Sequence, residues 1–153
     1  MTAPALRFVF RGEVTIGPPV DHGAVAGGRR RFIPITGGIF DGADFKATVL
    51  PGGGDWQTIA PDGTIDLEAR YAVQAEDGTV IRVTNQGYRR ATPQVQRKLE
   101  AGEAVDPSDY YFRTRPRFDC AADGAHGWLA STIFICDAGR KADRVLLDFY
   151  AVD

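Results

Sequence analysis

In LPGGGDWQ (residues 50–57) three consecutive glycines lead straight into an aspartate, Asp55, and a tryptophan, Trp56. A carboxylate delivered by so mobile a corner can act as a general base, and the more so where an enclosed setting raises its pKa. Trp56 would then supply an apolar lid or stacking surface over a bound molecule. The competing reading has Asp55 capping the glycine turn and Trp56 plugging one end of the fold. A phosphate cradle does not fit, because its glycines open a helix and lead to a lysine and a serine or threonine. Here the next charged side chain is an acid.

A second constellation is YYFRTRPRF (110–118). On a strand Tyr110, Phe112, Thr114, Pro116 and Phe118 share one face, and Tyr111, Arg113, Arg115 and Arg117 share the other. Periodicity alone makes the first set core and the second a solvated face. An inward Arg113 would instead hold a carboxylate, phenolate or enolate oxygen. Periodicity favours the outward orientation of Arg113, with the inward one as the alternative.

These residues must be positioned by strands. Eighteen glycines and nine prolines are spread along the chain and cut it into short segments rich in β-branched and aromatic residues, the pattern of an all-β sandwich or barrel. Strands are expected at about 6–16, 30–36, 44–50, 55–59, 64–75, 80–89, 110–118, 129–136 and 144–152. One short helix is expected in ATPQVQRKLEAG, with Thr92 as N-cap, Pro93 at its first position and Gly102 ending it. In TIDLEARYAVQAEDGTVIRVTNQG, a three-residue Glu76-Asp77-Gly78 turn pairs Val73 with Ile81, Tyr71 with Val83, Ala69 with Asn85 and Leu67 with Gly87. That register gathers the apolar side chains on one face, whereas a two-residue turn would set Ala69 against Gln86. Asn85 then stands on an apolar inner face, where an amide without partners is costly. It either ties down a loop or orients a bound molecule. Tyr71, on the same face, either packs or donates a proton.

With 153 residues and no internal repeat, the chain reads as a single domain with one core. A net charge of −2 lacks the basic excess of a nucleic-acid binder. No apolar run approaches the roughly 20 residues of a membrane helix, and MTAPALRFVFRGE lacks the features of a secretory signal, so a cytoplasmic location is expected. Cys136, in STIFIC, reads as a buried inert thiol, and two cysteines build no disulfide framework. The two histidines, His22 and His126, stand in loop-like contexts without zinc-ligand spacing, and no GxSxG elbow accompanies them.

PITGGIFDG (34–42), LPGGGDWQ, PDGT (61–64), EDGT (76–79), NQG (85–87), YYFRTRPRF, WL (128–129) and the closing FYAVD together resemble the bacterial and fungal domain-of-unknown-function family 3237. The resemblance runs over almost the entire chain and implies an antiparallel lipocalin-like, or calycin-like, β-barrel. The family pattern has an arginine ahead of TGG. Here Arg29, Arg30 and Arg31 compete for that place, so none is assigned to the site.

A barrel of this size holds one small ligand. The expected site comprises Asp55, Arg113, Asn85 and Tyr111 as acid–base and charge-stabilising groups, with Trp56, Tyr71, Phe40, Phe112 and Trp128 as contacts. Phe40 and Trp128 are more often packing residues than ligand contacts. Asp55 would remove a proton next to a carbonyl, Arg113 and Asn85 would stabilise the enolate, and a tyrosine would return the proton. Such isomerase or lyase chemistry needs no metal or cofactor, and the chain carries no motif for one. The alternative is a non-catalytic carrier of an apolar small molecule. Self-association into a homo-oligomer stays open.

Overall fold

A computed structural model describes residues 1–153. The chain folds into ten strands: β1 (Leu6–Ile16), β2 (Val20–Val25), β3 (Gly28–Asp41), β4 (Lys46–Val49), β5 (Gly53–Ile59), β6 (Ile65–Ala75), β7 (Val80–Arg90), β8 (Tyr111–Asp119), β9 (Phe134–Arg140) and β10 (Arg144–Val152). Helix α1 (Pro93–Glu100) and a 3₁₀ turn (Pro107–Asp109) link β7 to β8, and α2 (Gly127–Ala130) links β8 to β9. No helix is long and apolar enough to cross a membrane.

All pairings are antiparallel, and β1 pairs with both β10 and β3, which closes the sheet. Between β3 and β6 a single position is shared by β4 and β5, so the closed barrel has eight positions, with β2 continuing the line of β1 along the same edge of β3. Closure leaves only short edges unpaired. The expected all-β barrel is therefore the observed architecture.

The glycine run is where that shared position kinks. Ile39 pairs with Thr48 and Ile35 with Gly53, so three residues of β3 face four of the interrupted strand, which is a bulge. Each glycine has its own reason. Gly52 has φ of 106°, a left-handed conformation. A Cβ on Gly53 would lie 2.5 Å from the Arg70 carbonyl oxygen, and one on Gly54 would fall 2.0 Å from the Phe32 ring. The run is thus a corner within one barrel strand, and it sets the phase with which Asp55 enters β5.

The β6–β7 hairpin has the expected register: Val73 faces Ile81, Tyr71 faces Val83, Ala69 faces Asn85 and Leu67 faces Gly87. Its turn is held by Asp77 Oδ1 accepting from Thr79 N at 3.0 Å, with Gly78 at φ of 88°. The PDGT turn repeats this, with Asp62 Oδ1 accepting from Thr64 N at 2.9 Å. Helix α1 starts as expected, with the Thr92 hydroxyl accepting from Val95 N at 3.3 Å. Two expectations need correction. Strand β2 was not anticipated, because VDHGAV pairs along one edge only and carries almost no buried side chain. Residues 129–133 do not begin β9; Trp128 and Leu129 lie on α2, and Leu129 is buried from a helix.

Inward side chains divide the barrel lengthwise. At one end Phe10, Phe40, Phe45, Phe118, Phe134 and Phe149 pack ring on ring, with Phe10 and Phe149 stacked at 4.5 Å and Phe118 edge-on to Phe134 at 5.2 Å. At the other end, where β7 runs into α1, the inward residues are aliphatic and polar and leave a space between them.

Candidate functional site

The space is a cavity of about 50 Å³, lined by aliphatic side chains such as Ile33, Ile35, Leu67 and Leu147, by Phe112, and by the polar groups Asp55, Gln57, Tyr71, Asn85, Arg89, Thr114 and Arg140. At roughly 10–15 Å³ per water it has room for several waters or for the head of a small planar molecule. Barrel register places the polar groups in tiers. Asp55, Ala69 and Asn85 are cross-strand neighbours on β5, β6 and β7, and the small side chain of Ala69 leaves the gap between the acid and the amide. One pleat nearer the opening, Arg31 on β3 pairs with Gln57 and Gln57 with Leu67. One pleat further, Arg89 on β7 lies between Ile65 and Phe112.

Asp55 is held through its neighbour. Gln57 Nε2 donates to Asp55 Oδ2 at 2.7 Å, and Arg31 Nε donates to Gln57 Oε1 at 2.6 Å. These two bonds fix the orientation of the amide, because the acid needs a donor and the guanidinium an acceptor. The residue as a whole is half-buried, yet Oδ1 is shielded from solvent and has no hydrogen-bond partner. Burial pushes the Asp55 carboxyl up to about 6, against the lowering pull of the Gln57 hydrogen bond and of Arg31 and Arg89. Tyr71 Oη and Asn85 Oδ1 are likewise buried without partners. Burial also drives the Tyr71 phenol above its ordinary range, so at neutral pH it is a donor.

Arg89 is 3% exposed, its Nε has no partner, and its guanidinium lies 5.9 Å from the centre of the Phe112 ring. Burial, then repulsion from Arg31 and Arg140, pushes it down to about 10, which leaves it charged at neutral pH. Nowhere do three or more His, Cys, Asp or Glu side chains gather in a way that could hold a metal ion.

Four of the nine expected site residues therefore meet in the cavity: Asp55, Asn85, Tyr71 and Phe112. The other five do not. Trp56 points outward, 48% exposed, and packs on Phe32 with ring centres 4.9 Å apart. Arg113 lies on the outer face, paired with Asp137 at 2.7 Å, and Tyr111 lies there beside it, under the Arg90 guanidinium at 4.2 Å. The reason is the same for all three: neighbours in a strand face opposite ways, so an inward Asp55 excludes Trp56 and an inward Phe112 excludes Tyr111 and Arg113. Phe40 belongs to the aromatic end and touches Tyr71 edge-on at 6.2 Å. Trp128, on α2, packs against Phe134. Cys136 is fully buried, and burial raises its thiol.

Sequence reasoning missed Gln57, Arg89 and Arg140. The inward alternation of Ile81, Val83, Asn85 and Gly87 continues to Arg89 and would have found it. Gln57 follows from Asp55 by the same step of two.

The sequence model of the family described as "Protein of unknown function (DUF3237)" matches residues 4–152. The UPF0311 protein RPA1785 of Rhodopseudomonas palustris is 42% identical over 146 residues, 95% of either chain. The crystal structure of RPA1785, a conserved protein of unknown function, superposes with a TM-score of 0.92 over 100% of this chain and 99% of that one. A β-barrel-like protein from Acinetobacter baumannii, 30% identical, gives 0.86 over 100% and 98%. The hydroalkoxylation enzyme phnH of Penicillium herquei is 37% identical over 83 residues, 54% of this chain and 55% of that protein. The chain belongs to the DUF3237 family.

Proposed function

We propose that this DUF3237 barrel is an enzyme of the isomerase or lyase type, working by acid–base chemistry on a small carbonyl-bearing or aromatic molecule held in the cavity. The observation that carries the reading is Asp55: a carboxyl with one oxygen buried and unpartnered, raised to about 6, facing an apolar cavity. A base poised near the working pH combines the right protonation state with driving force for proton transfer. In this scheme Asp55 Oδ1 takes a proton from a carbon next to a carbonyl, or from a hydroxyl. Asn85 and the Arg89 charge stabilise the resulting oxyanion, the Tyr71 hydroxyl returns a proton, and the proton held by Asp55 then passes through water to Tyr71, which restores both groups. Arg89 thus takes the role expected of an inward Arg113.

The relative named for hydroalkoxylation is compatible with this scheme. Adding an O–H bond across a carbon–carbon double bond can begin with removal of the hydroxyl proton and end with protonation of carbon, and its reverse is an elimination. The mainly aliphatic lining also supports a second reading, a carrier for an apolar molecule.

Incubation with a panel of enolisable ketones and hydroxyaryl alkenes in D₂O separates the two. The enzyme reading expects deuterium incorporation or addition products, a rate that falls on the acid side of about pH 6, and a loss of at least about 100-fold in Asp55→Asn. Turnover that Asp55→Asn leaves intact overturns it. Binding without turnover, unchanged in Asp55→Asn, favours the carrier.

A further inference from the structure

The open end of the cavity holds more positive charge than the acid–base scheme uses. Three guanidiniums converge there, from Arg31, Arg89 and Arg140, near enough for Arg31 to depress both of the others. One buried carboxylate, Asp55, faces them. Their other partners do not balance the charge. Arg31 spends its Nε on Gln57 and reaches Glu100 at 3.5 Å, which ties the end of α1 to the rim. Arg140 donates Nη1 to the carbonyl oxygens of Lys141 and Ala142 and has no acidic partner. Arg89 has neither an acidic partner nor a hydrogen bond, although it is almost fully buried on the cavity wall. A guanidinium offers five donors in a planar fork, and one set in a cavity wall with its buried Nε unpartnered presents the rest of that fork to whatever the cavity binds.

We propose that Arg89 and Arg140, backed by Arg31 at the rim, form a carboxylate-binding subsite, so that the molecule this barrel takes is a small organic acid with an apolar body. A carboxylate matches the guanidinium fork in charge, planarity and spacing. Seated there, the carboxylate head fills the cavity of about 50 Å³, directs its neighbouring carbon toward Asp55 and leaves the apolar body to extend past the rim. The subsite deepens the acid–base reading and rests on it for the identity of that reactive centre, but binding of the acid does not depend on turnover.

The test is calorimetric titration of the protein with benzoate and with benzamide, a neutral molecule of the same shape. Benzoate is expected to bind at least tenfold more tightly than benzamide. Arg89→Met is expected to abolish that preference while leaving benzamide unchanged. Asp55→Asn, which removes the one negative charge in the cavity, is expected to strengthen benzoate binding, whereas the acid–base reading has it abolish turnover. The two ideas can therefore fail separately. Should Arg89→Met not fold, Arg140→Met, at a less buried position, carries the same expectation. Equal affinity for the two probes, no benzoate binding, or benzoate binding unaffected by loss of either arginine overturns the subsite.

Discussion

At the scale of single residues, the site sets function against stability. Asp55 has a carboxyl raised from 3.8 to about 6, so the folded state holds its proton more tightly than the unfolded chain does. Its contribution to stability is complete below the ordinary value and is lost as pH rises through about 6. A shift of about two units corresponds to on the order of 3 kcal/mol. Asp55→Asn is neutral at every pH and nearly the same shape. It should unfold at a higher temperature than the parent protein at about pH 8, with the difference closing toward about pH 4. Thermal unfolding at the two pH values checks this, and a difference independent of pH would mean that the carboxylate is not strained by its burial.

At the scale of elements, the bulge between β4 and β5 is what aims Asp55. Gly53 lies against the β6 backbone, where a Cβ would come within 2.5 Å of both the Arg70 carbonyl oxygen and the Tyr71 Cβ. Gly53→Ala should therefore cost about 1–3 kcal/mol through overpacking and disturb Asp55 as well. Denaturant unfolding would read the first effect, and a changed pH dependence of melting the second. Unaltered stability would mean that the corner has slack. Strands legible from the sequence were those whose alternation ran long enough to set a phase, as in β6, β7 and β8. Where only one strand pairs and little is buried, as in β2, no periodic signal exists to be read. The site was half legible for a related reason. Chemical type singles out Asp55, Trp56, Tyr111, Phe112 and Arg113 together, but a strand cannot send consecutive side chains to the same side. Following the phase to the end of β7 reaches Arg89. Arg140 closes β9 four residues past the end expected for that strand at 136, so it falls in no expected strand and its facing is not legible.

At the scale of the whole molecule, the two ends of the barrel differ, one packed with aromatic rings and the other holding the cavity. The aromatic end is solid, and Phe149, fully buried among Phe10, Phe40 and Phe118, is central to it. Phe149→Ala should lower stability by about 3–5 kcal/mol, measured by denaturant unfolding; a loss under about 1 kcal/mol would mean that the end is loosely packed. The solid end fixes strand register, and register carries Asp55, Asn85 and Arg89 to one cavity at the other end. The proposed function requires that this cavity hold a carboxyl tuned for proton transfer. It is tested most directly by a ¹³C NMR titration of the aspartate side-chain carboxyls, with the Asp55 signal assigned by its absence in Asp55→Asn. A midpoint near 6 is expected for Asp55. A midpoint at or below about 4, where an ordinary aspartate titrates, would contradict it.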